Sequence, residues 1–347
     1  MTEIEPTDHP IANLVTGGSD WESPATDPND ETFGDVVVGI SPERADDSTL
    51  AGHDVVLLGE PFDAAVIGRR GAADGPDAIR ESLAGLKRHR FGSSTDATDA
   101  TAAIGDLGNV AVDHGTVNSD DERDAIRSAV ESVTGRLHRS EAVPIVLGGD
   151  NSLTVPNVMP LLSETDADET VGVCNLDAHL DVREVQEKYT SGTPYRELLE
   201  AGLDVYVVAG ARDFETAAKY AEFVDDHDGT VVTADELGHR PAAARDRIRT
   251  AIADVDHLYV SVDCDVLDAT AAPGVSAPTP GGLTSRELFA LIDSLVADPR
   301  LRGFEIVECA PPLDSGGRTV DTVARAVARV LHAVTGSADT ESGGVGR

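Results

Sequence analysis

Short apolar runs alternate with longer amphipathic stretches along most of this chain. The runs are rich in Val, Ile and Leu, as is typical of strands that are buried on both faces of a parallel sheet. They cover residues 54–60, 142–150, 171–177, 205–211, 230–235, 258–265 and 303–308. The amphipathic stretches, which we predict to be helical, cover residues 76–88, 120–138, 152–163, 193–202, 215–226, 241–254, 284–297 and 319–335. This alternation predicts an α/β fold in which helices cover both faces of a central, mostly parallel sheet.

The expected domain boundaries lie where this alternation starts and stops. Residues 1–34 are rich in Asp, Pro, Thr and Gly and lack periodicity, so we expect a loosely ordered acidic arm. Residues 35–336 are expected to form a single domain, because no linker or internal repeat interrupts them. Residues 337–347 are expected to fray at the end of the last helix.

The net charge limits the partners of this chain. Its 63 acidic and 27 basic residues give a formal charge of −36, which would repel the phosphates of nucleic acid. We interpret the excess as a solvated acidic shell suited to a salty cytosol, where ions screen the repulsion. No apolar segment approaches the roughly 18 residues of a membrane span, and the N-terminus has no signal-peptide pattern. We therefore expect a cytoplasmic protein without nucleic-acid or membrane partners.

The cysteines do not suggest a disulfide framework or a zinc cluster. Cys174, Cys264 and Cys309 are an odd number, are widely spaced, and each lies within an apolar run. We expect them to be small buried core residues in a reducing compartment.

Polar residues cluster where several predicted strands end. The stretch "GGDNS" follows "PIVL", "NLDAHLD" follows "VGVC", "SVDCD" follows "HLYV", and Glu308 follows "GFEIV". Ligands of open α/β sheets bind beyond the carboxyl ends of the strands. These strand ends are therefore where we expect the functional site.

The spacing of these residues suggests metal ligands. Acidic or imidazole side chains recur at every second position in Asp177, His179 and Asp181, and again in Asp263 and Asp265. Side chains two apart in an extended chain point to the same side, so Asp263 and Asp265 can face one ion while Cys264 turns into the core. Several carboxylates in one pocket repel one another unless a cation neutralises them. Oxygen-rich ligation with one imidazole favours manganese or magnesium over zinc, and we predict manganese.

Chance is the competing explanation for such pairs. With 63 acidic residues in 347, an Asp-x-Asp pair arises easily and usually lies on a solvated face. Carboxylates that end a buried strand are costly to place there without a partner, so the position of "DCD" after "HLYVSV" favours a metal site.

The three motifs together resemble the metal motifs of the ureohydrolase family, which comprises arginases, agmatinases and formimidoylglutamases. "GGDNS", "NLDAHLD" and "SVDCDVLDATAAPGVSAPTPGG" occur in that family's order and spacing over roughly residues 55–335. The resemblance implies a single three-layer α/β/α domain of the arginase type with two manganese ions per subunit. It also implies a small amidine or guanidine substrate and a homo-oligomer.

The resemblance assigns a role to each metal-ligand candidate. Asp177 and Asp263 would contact both ions. Asp181 would ligate one ion, hold the attacking hydroxide and pass a proton to the leaving amine. His179 and Asp265 would complete the shell of the other ion.

Two positions depart from the usual family pattern. Asn151 stands where the first motif normally has histidine, so one ion would exchange an imidazole for an amide oxygen. This change leaves open a weaker metal site or the loss of one metal. Ser191, in "TSGTPYRELLE", stands near the substrate position where arginases and agmatinases carry histidine, and here formimidoylglutamases are more similar.

The substrate candidates are chosen on the same resemblance. Glu308 matches the acidic residue that grips the amidine, with a strand-end salt bridge as the alternative. "GRRGAADGPDAIR", residues 68–80, is similar to a formimidoylglutamase pattern, and its Arg69 would pair with a substrate carboxylate. Arg212 follows a predicted strand and would reach the second carboxylate. A solvent-facing arginine is the alternative for Arg69.

The expected reaction is the hydrolysis of N-formimidoyl-L-glutamate to L-glutamate and formamide, a step in histidine degradation. Agmatinase activity, which releases urea and putrescine from agmatine, is the alternative within the family. A non-catalytic binding or assembly homologue is the alternative outside enzymes, and Asn151 is the residue that favours it.

Overall fold

A computed structural model describes residues 11–91, 103–111 and 119–342 of the chain. Its strands are β1 (Val37–Gly39), β2 (Val55–Gly59), β3 (Ile104–Asn109), β4 (Val143–Leu147), β5 (Val171–Leu176), β6 (Val205–Ala211), β7 (Thr230–Thr233), β8 (His257–Asp263) and β9 (Leu301–Val307). They form one sheet in the order β1-β3-β2-β4-β9-β8-β5-β6-β7, and each neighbouring pair with a recorded register runs parallel.

Helices connect most of the strands. They are α1 (Asp47–Leu50), α2 (Gly75–Ala84), α3 (Asp120–Arg139), α4 (Thr154–Glu164), α5 (Pro194–Ala201), α6 (Ala218–Asp226), α7 (Ala234–His239), α8 (Pro241–Ala251), α9 (Ser285–Leu295) and α10 (Arg318–Ser342). Ser119 caps α3 and Thr284 caps α9, and the matching glutamate in each first turn completes a capping box. Among the described residues, no helix combines the length and the apolar character that crossing a membrane requires.

The sheet separates two helical layers. Alternate residues of β2 point to opposite faces, so Leu57 packs in one apolar cluster and Val56 in another. The cluster around Leu57 includes residues of α2, α7, α8, α9 and α10. Two further clusters on the other face include residues of α3, and of α4, α5 and α6. This arrangement confirms the predicted three-layer α/β/α fold.

The predicted strands and longer helices are present, but several short elements were not predicted. The missed elements are β1, β3, α1 and α7. β3 escaped prediction because its sequence, IGDLGN, contains a buried aspartate and two glycines instead of an apolar run. Asp106 is tolerated there because Arg80 Nε lies 2.9 Å from its Oδ2 and Trp21 Nε1 donates to the same oxygen over 2.8 Å.

The described residues of the predicted N-terminal arm make apolar contacts with the domain. Ile11, Val15 and Phe33, within the predicted arm of residues 1–34, are buried in the apolar clusters. Although the arm is mostly polar, these few apolar side chains pack the described part of the arm onto the domain. At the other end, α10 is assigned to Ser342, and the expected fraying of residues 337–347 stays a prediction.

Candidate metal centre

The candidate site lies at the centre of the sheet edge formed by the carboxyl ends of the strands. β4, β9, β8 and β5 are consecutive neighbours in the sheet. The predicted polar strand ends therefore meet, because Asn151 follows β4, Glu308 follows β9, Asp263 ends β8 and Asp177 follows β5. The metal-ligand candidates Asp177, Asp263 and Asp265 are at most 5% exposed.

Two sets of side chains are close enough to bind ions. The His179 group consists of Asp177, His179 and Asp265, and the Asp181 group consists of Asp177, Asp181 and Asp263. Within each group, one possible ligand atom from every residue lies within 4.8 Å of the others. Asp177 belongs to both groups and is therefore placed between two possible ion positions.

Asp263 belongs to the Asp181 group and Asp265 to the His179 group. A 3-10 turn at Cys264–Val266 directly follows Asp263, so the two residues do not share one extended segment. The expectation that both face one ion stays a prediction. Asp263 Oδ1 caps this turn by accepting a hydrogen bond from Asp265 N at 2.8 Å. Cys264 is buried, as expected.

Two site residues have a left-handed backbone. The φ angle is +46° at Asp181 and +62° at Glu308, a region that residues with a Cβ atom rarely adopt. Such strain concentrates at functional sites, where the surrounding structure holds it in place. Each of these carboxylates is thus aimed by an unfavourable local conformation.

His179 is held between carboxylates on both ring nitrogens. Its Nδ1 lies 3.1 Å from Asp265 Oδ2 and 3.6 Å from Asp177 Oδ1, so this nitrogen faces the ion position of the His179 group. Its Nε2 lies 3.2 Å from Glu215 Oε2. A carboxylate on the outer nitrogen is typical of metal-binding histidines, because it fixes the ring and its tautomer.

Charges in this pocket are poorly tolerated without a cation. Burial raises the pKa of Asp181 well above its usual value, and the neighbouring charge of Asp177 raises it further. Burial and the charge of Asp265 do the same to the pKa of Asp263. Burial opposes the charged form of His179, but hydrogen bonds and charge from Asp177 and Asp265 outweigh it and raise its pKa to about 12. Protons on these side chains therefore reduce the repulsion between the carboxylates. Bound divalent cations would reduce the same repulsion.

Asn151 lies beside the Asp181 group. It is fully buried, and its Nδ2 lies 2.6 Å from Asp181 Oδ2. Its backbone N–H donates to Glu308 Oε1 over 3.2 Å. The amide therefore occupies a position from which it can reach an ion in this group, as the resemblance implies.

Glu308 offers a free carboxylate oxygen to the site. It is 2% exposed, and its Oε2 has no hydrogen-bond partner among the described residues. Burial raises the pKa of Glu308 well above its usual value, and the charge of Asp150 adds to this. A buried acceptor without a donor is costly, so this oxygen is suited to a ligand that brings N–H groups.

Arg212 contacts residues that lie around His179. Its side chain is only 4% exposed, and its Nε lies 3.3 Å from Glu215 Oε1. It also donates to the backbone carbonyls of Asp265 at 2.7 Å and Thr279 at 3.1 Å. Arg212 therefore supports the residues around His179, and its predicted contact with a substrate carboxylate stays a prediction.

Arg69 and Ser191 lie on segments that contact each other. Ser191 Oγ accepts from the backbone N–H of Ile67 over 3.1 Å, which ties it to the loop that carries Arg69. Arg69 is exposed, and its guanidinium donates to the carbonyls of Val275 at 3.0 Å and Ser276 at 3.2 Å. The arginine is thus anchored at the surface with part of its donor set facing solvent.

Sequence reasoning missed Glu215 as a site residue. It occurs in an ordinary acidic helix-start sequence, "RDFET", and nothing in that local pattern marks it. Its contact with His179 depends on the folded positions of two separate segments, whereas Arg212 is three residues away in the same segment. The only sequence signal was its location shortly after the end of β6.

Comparisons with known proteins show which family this chain is similar to. The sequence model of the arginase family matches residues 53–333. A formimidoylglutamase of Halobacterium salinarum is 51% identical over 321 residues, which cover 92% of this chain and 99% of that protein.

Solved structures of related proteins have a similar fold. The formimidoylglutamase of Bacillus subtilis superposes with a TM-score of 0.76 at 25% identity, covering 90% of this chain and 94% of the other. A Trypanosoma cruzi formiminoglutamase, solved with Mn²⁺, superposes with a TM-score of 0.71 at 28% identity, covering 82% of this chain and 94% of the other.

Proposed function

Because this chain belongs to the arginase family, we propose that it is a hydrolase of N-formimidoyl-L-glutamate that releases L-glutamate and formamide. The similarity to the Halobacterium salinarum formimidoylglutamase, over nearly the whole of both chains, is the observation that carries this proposal. The buried carboxylate groups supply the chemistry that such a reaction needs. Histidine degradation is the corresponding metabolic context.

The residues present fit a pair of manganese ions. The His179 and Asp181 groups offer mainly carboxylate oxygens with one imidazole, and their burial is otherwise unfavourable. We propose that Asp177 touches both ions, and we retain Asp263 as a second shared ligand from the family resemblance. When bound, the two ions lower the pKa of a water molecule between them and so supply a nucleophile near neutral pH.

Glu308 and Asp181 have complementary roles in the proposed reaction. The N–H groups of the substrate amidine donate to Glu308 Oε2, which has no other donor among the described residues. Asp181 accepts a proton from the attacking water as the C–O bond forms. It then donates that proton to the amine nitrogen of glutamate as the C–N bond breaks.

Arg69 and Ser191 are proposed to recognise the glutamate part of the substrate. An exposed arginine on the loop after β2 can form a bidentate pair with one substrate carboxylate. Replacing Arg69 by glutamine should raise the KM for N-formimidoylglutamate much more than it lowers kcat. A fall in kcat as large as the rise in KM would contradict this role.

The substrate assignment has a direct test. The purified protein is incubated with Mn²⁺ in concentrated KCl, separately with N-formimidoylglutamate, agmatine and arginine, and the products are identified. Formamide and glutamate from the first substrate are expected. Urea from agmatine would establish an agmatinase instead, and no product from any substrate would favour a non-catalytic homologue.

We further propose that the protein works in the cytoplasm as a homo-oligomer of this chain. The three cysteines are free and buried, which suits a reducing compartment. Sedimentation velocity in concentrated KCl should give a mass that is a multiple of 36.2 kDa. A monomeric mass would contradict the oligomer.

A further inference from the structure

A cleft beside α9 and α10 has an unusual charge for this chain. It lies between these helices and the segment that follows α2, and it encloses about 230 Å³. The chain has 63 acidic and 27 basic residues, yet the described residues that line this cleft include no aspartate or glutamate. We call it the basic cleft, and its basic side chains are Lys87, Arg88, His89, Arg90, Arg325, Arg329 and His332.

Two arginines of the basic cleft share a single carboxylate. Asp293 Oδ2, on α9, accepts from Arg90 Nη2 at 2.7 Å and from Arg329 Nη1 at 2.6 Å. The guanidinium of Arg329 also lies over the Phe289 ring, 4.6 Å from its centroid, which fixes its plane. Two positive charges therefore stand against one negative charge, and Asp293 holds both guanidinium groups in place.

Arg325 has no carboxylate partner among the described residues. It lies four residues before Arg329 on α10, so the two side chains are on the same face of the helix. Its exposed guanidinium donates from Nη1 to the backbone carbonyl of Asp321 over 3.0 Å. The two other cations are paired, Lys87 with Asp30 and Arg88 with Glu31. Five cations thus share three carboxylates, which leaves an excess of two positive charges in the basic cleft.

His332 responds to this positive charge. Burial lowers the pKa of His332, and the charge of Arg90 lowers it further, although Asp293 acts in the opposite direction. A neighbouring cation makes a further proton on the imidazole unfavourable. The same electrostatic field attracts an anion into the cleft.

We propose that the basic cleft binds the phosphate group of a small molecule. A phosphate monoester carries a charge of about −1.5 to −2 at pH 7, which matches the excess of two positive charges, whereas a carboxylate supplies only one negative charge. Arginine guanidinium groups also match phosphate oxygens in geometry. The volume of the cleft equals that of roughly eight water molecules, which is enough for a phosphate group with a small attached group.

This site is separate from the metal centre and does not depend on the proposed substrate. No residue that lines the basic cleft belongs to the His179 group or the Asp181 group. The inference therefore stands or falls apart from the proposed hydrolase activity.

The test is equilibrium dialysis of the full-length protein against radiolabelled inorganic phosphate in concentrated KCl. The wild type should bind one phosphate per chain at the basic cleft. Arg325→Gln removes the cation that has no carboxylate partner, so phosphate affinity should fall by about 10-fold or more. Arg325→Lys keeps the charge but loses the planar fork, and it should lose less affinity than Arg325→Gln.

Two controls locate the binding site. Arg249→Gln removes the same charge from an exposed arginine on α8, which pairs with Asp246, and should bind phosphate as the wild type does. Asp177→Asn removes the carboxylate that the two metal groups share, and it should also keep wild-type phosphate affinity. Thermal unfolding followed by circular dichroism checks that each variant is folded.

Competition with unlabelled compounds identifies the source of the phosphate group. Displacement by AMP at lower concentrations than by inorganic phosphate would support an organic phosphate as the ligand, and equal concentrations would support free phosphate. Displacement by glutamate as readily as by phosphate would overturn the assignment to phosphate.

Three further results would overturn the inference. They are no phosphate bound to the wild type, unchanged phosphate affinity in Arg325→Gln, or loss of phosphate binding in Asp177→Asn, which would place the anion at the metal centre. Sedimentation velocity gives a separate check. A smaller mass for Arg325→Gln than for the wild type would show that a second copy of this chain occupies the cleft, which would also overturn the proposal.

Discussion

The two metal groups share Asp177 but orient their other ligands by different means. In the His179 group, charged partners hold the imidazole, because Glu215 contacts Nε2 and Arg212 contacts Glu215. In the Asp181 group, the adjacent amide of Asn151 is held by the neutral hydroxyl of Thr154. The imidazole contacts carboxylates through both of its nitrogens, whereas the amide contacts one hydroxyl and the single carboxylate of Asp181. We expect the His179 group to bind its ion more tightly.

Asp177→Asn should have the largest effect, because it removes the carboxylate that the two groups share. Both ion positions lose a charged ligand, so bound manganese should fall toward zero at concentrations that saturate the wild type. Activity should fall by more than the roughly 100-fold that loss of an outer partner costs. If one ion stayed tightly bound, ion binding by one of the two groups would not require the Asp177 carboxylate.

Glu215→Gln tests the charged support of the His179 group alone. The amide keeps the size of the side chain but removes the negative charge beside Nε2, the outer nitrogen of His179. Manganese affinity at the tighter site should therefore fall about 10- to 100-fold. Glu222→Gln is a matched control on the exposed face of α6. A loss at the weaker site instead would contradict the assignment of Glu215 to His179.

The pH dependence of binding should reveal the proton that an ion displaces from the His179 group. Without metal, the pKa of His179 is raised to about 12, so the ring is protonated at neutral pH and must lose its proton to bind an ion. Manganese affinity of the His179 group should therefore increase with pH, by about tenfold per pH unit for each proton released. Titrations from about pH 6 to pH 9 measure this slope, and a flat profile would contradict a ligating His179.

Asn151→His should have the smallest effect and the opposite sign. An imidazole is a stronger ligand for manganese than an amide oxygen, so affinity at the weaker site should rise by roughly 5- to 10-fold. The tighter site should be unchanged, since the Asn151 amide contacts Asp181, which is not a member of the His179 group. A loss of affinity would show that the pocket around Thr154 is shaped for the amide only.

The sequence predicted the position of the site because that position depends on local patterns. Apolar runs mark buried strands, and the polar residues that follow them must lie at the carboxyl edge of a parallel sheet. The sequence did not predict that the ends of β4, β9, β8 and β5 would be adjacent, because strand order depends on how the whole chain packs.

The partners of the site residues were harder to predict than the ligands. The sequence did not predict that Arg212 contacts carbonyls of Asp265 and Thr279, which are distant in the chain. Thr154 and Glu305 lie in segments with no distinctive motif, and their relation to Asn151 exists only after α4 packs against the sheet. Contacts between distant segments leave no periodic signal in a single sequence.

The left-handed backbone at Asp181 and Glu308 lowers the stability of the fold at two residues that the proposed reaction requires. Glycine at either position would relieve roughly 1 kcal/mol of backbone strain and remove a buried acid. Such a variant should gain folding stability and lose catalytic activity. Selection for thermal robustness alone would favour such replacements. Persistence of these two acids in close relatives would therefore be a record of selection for turnover and not for folding.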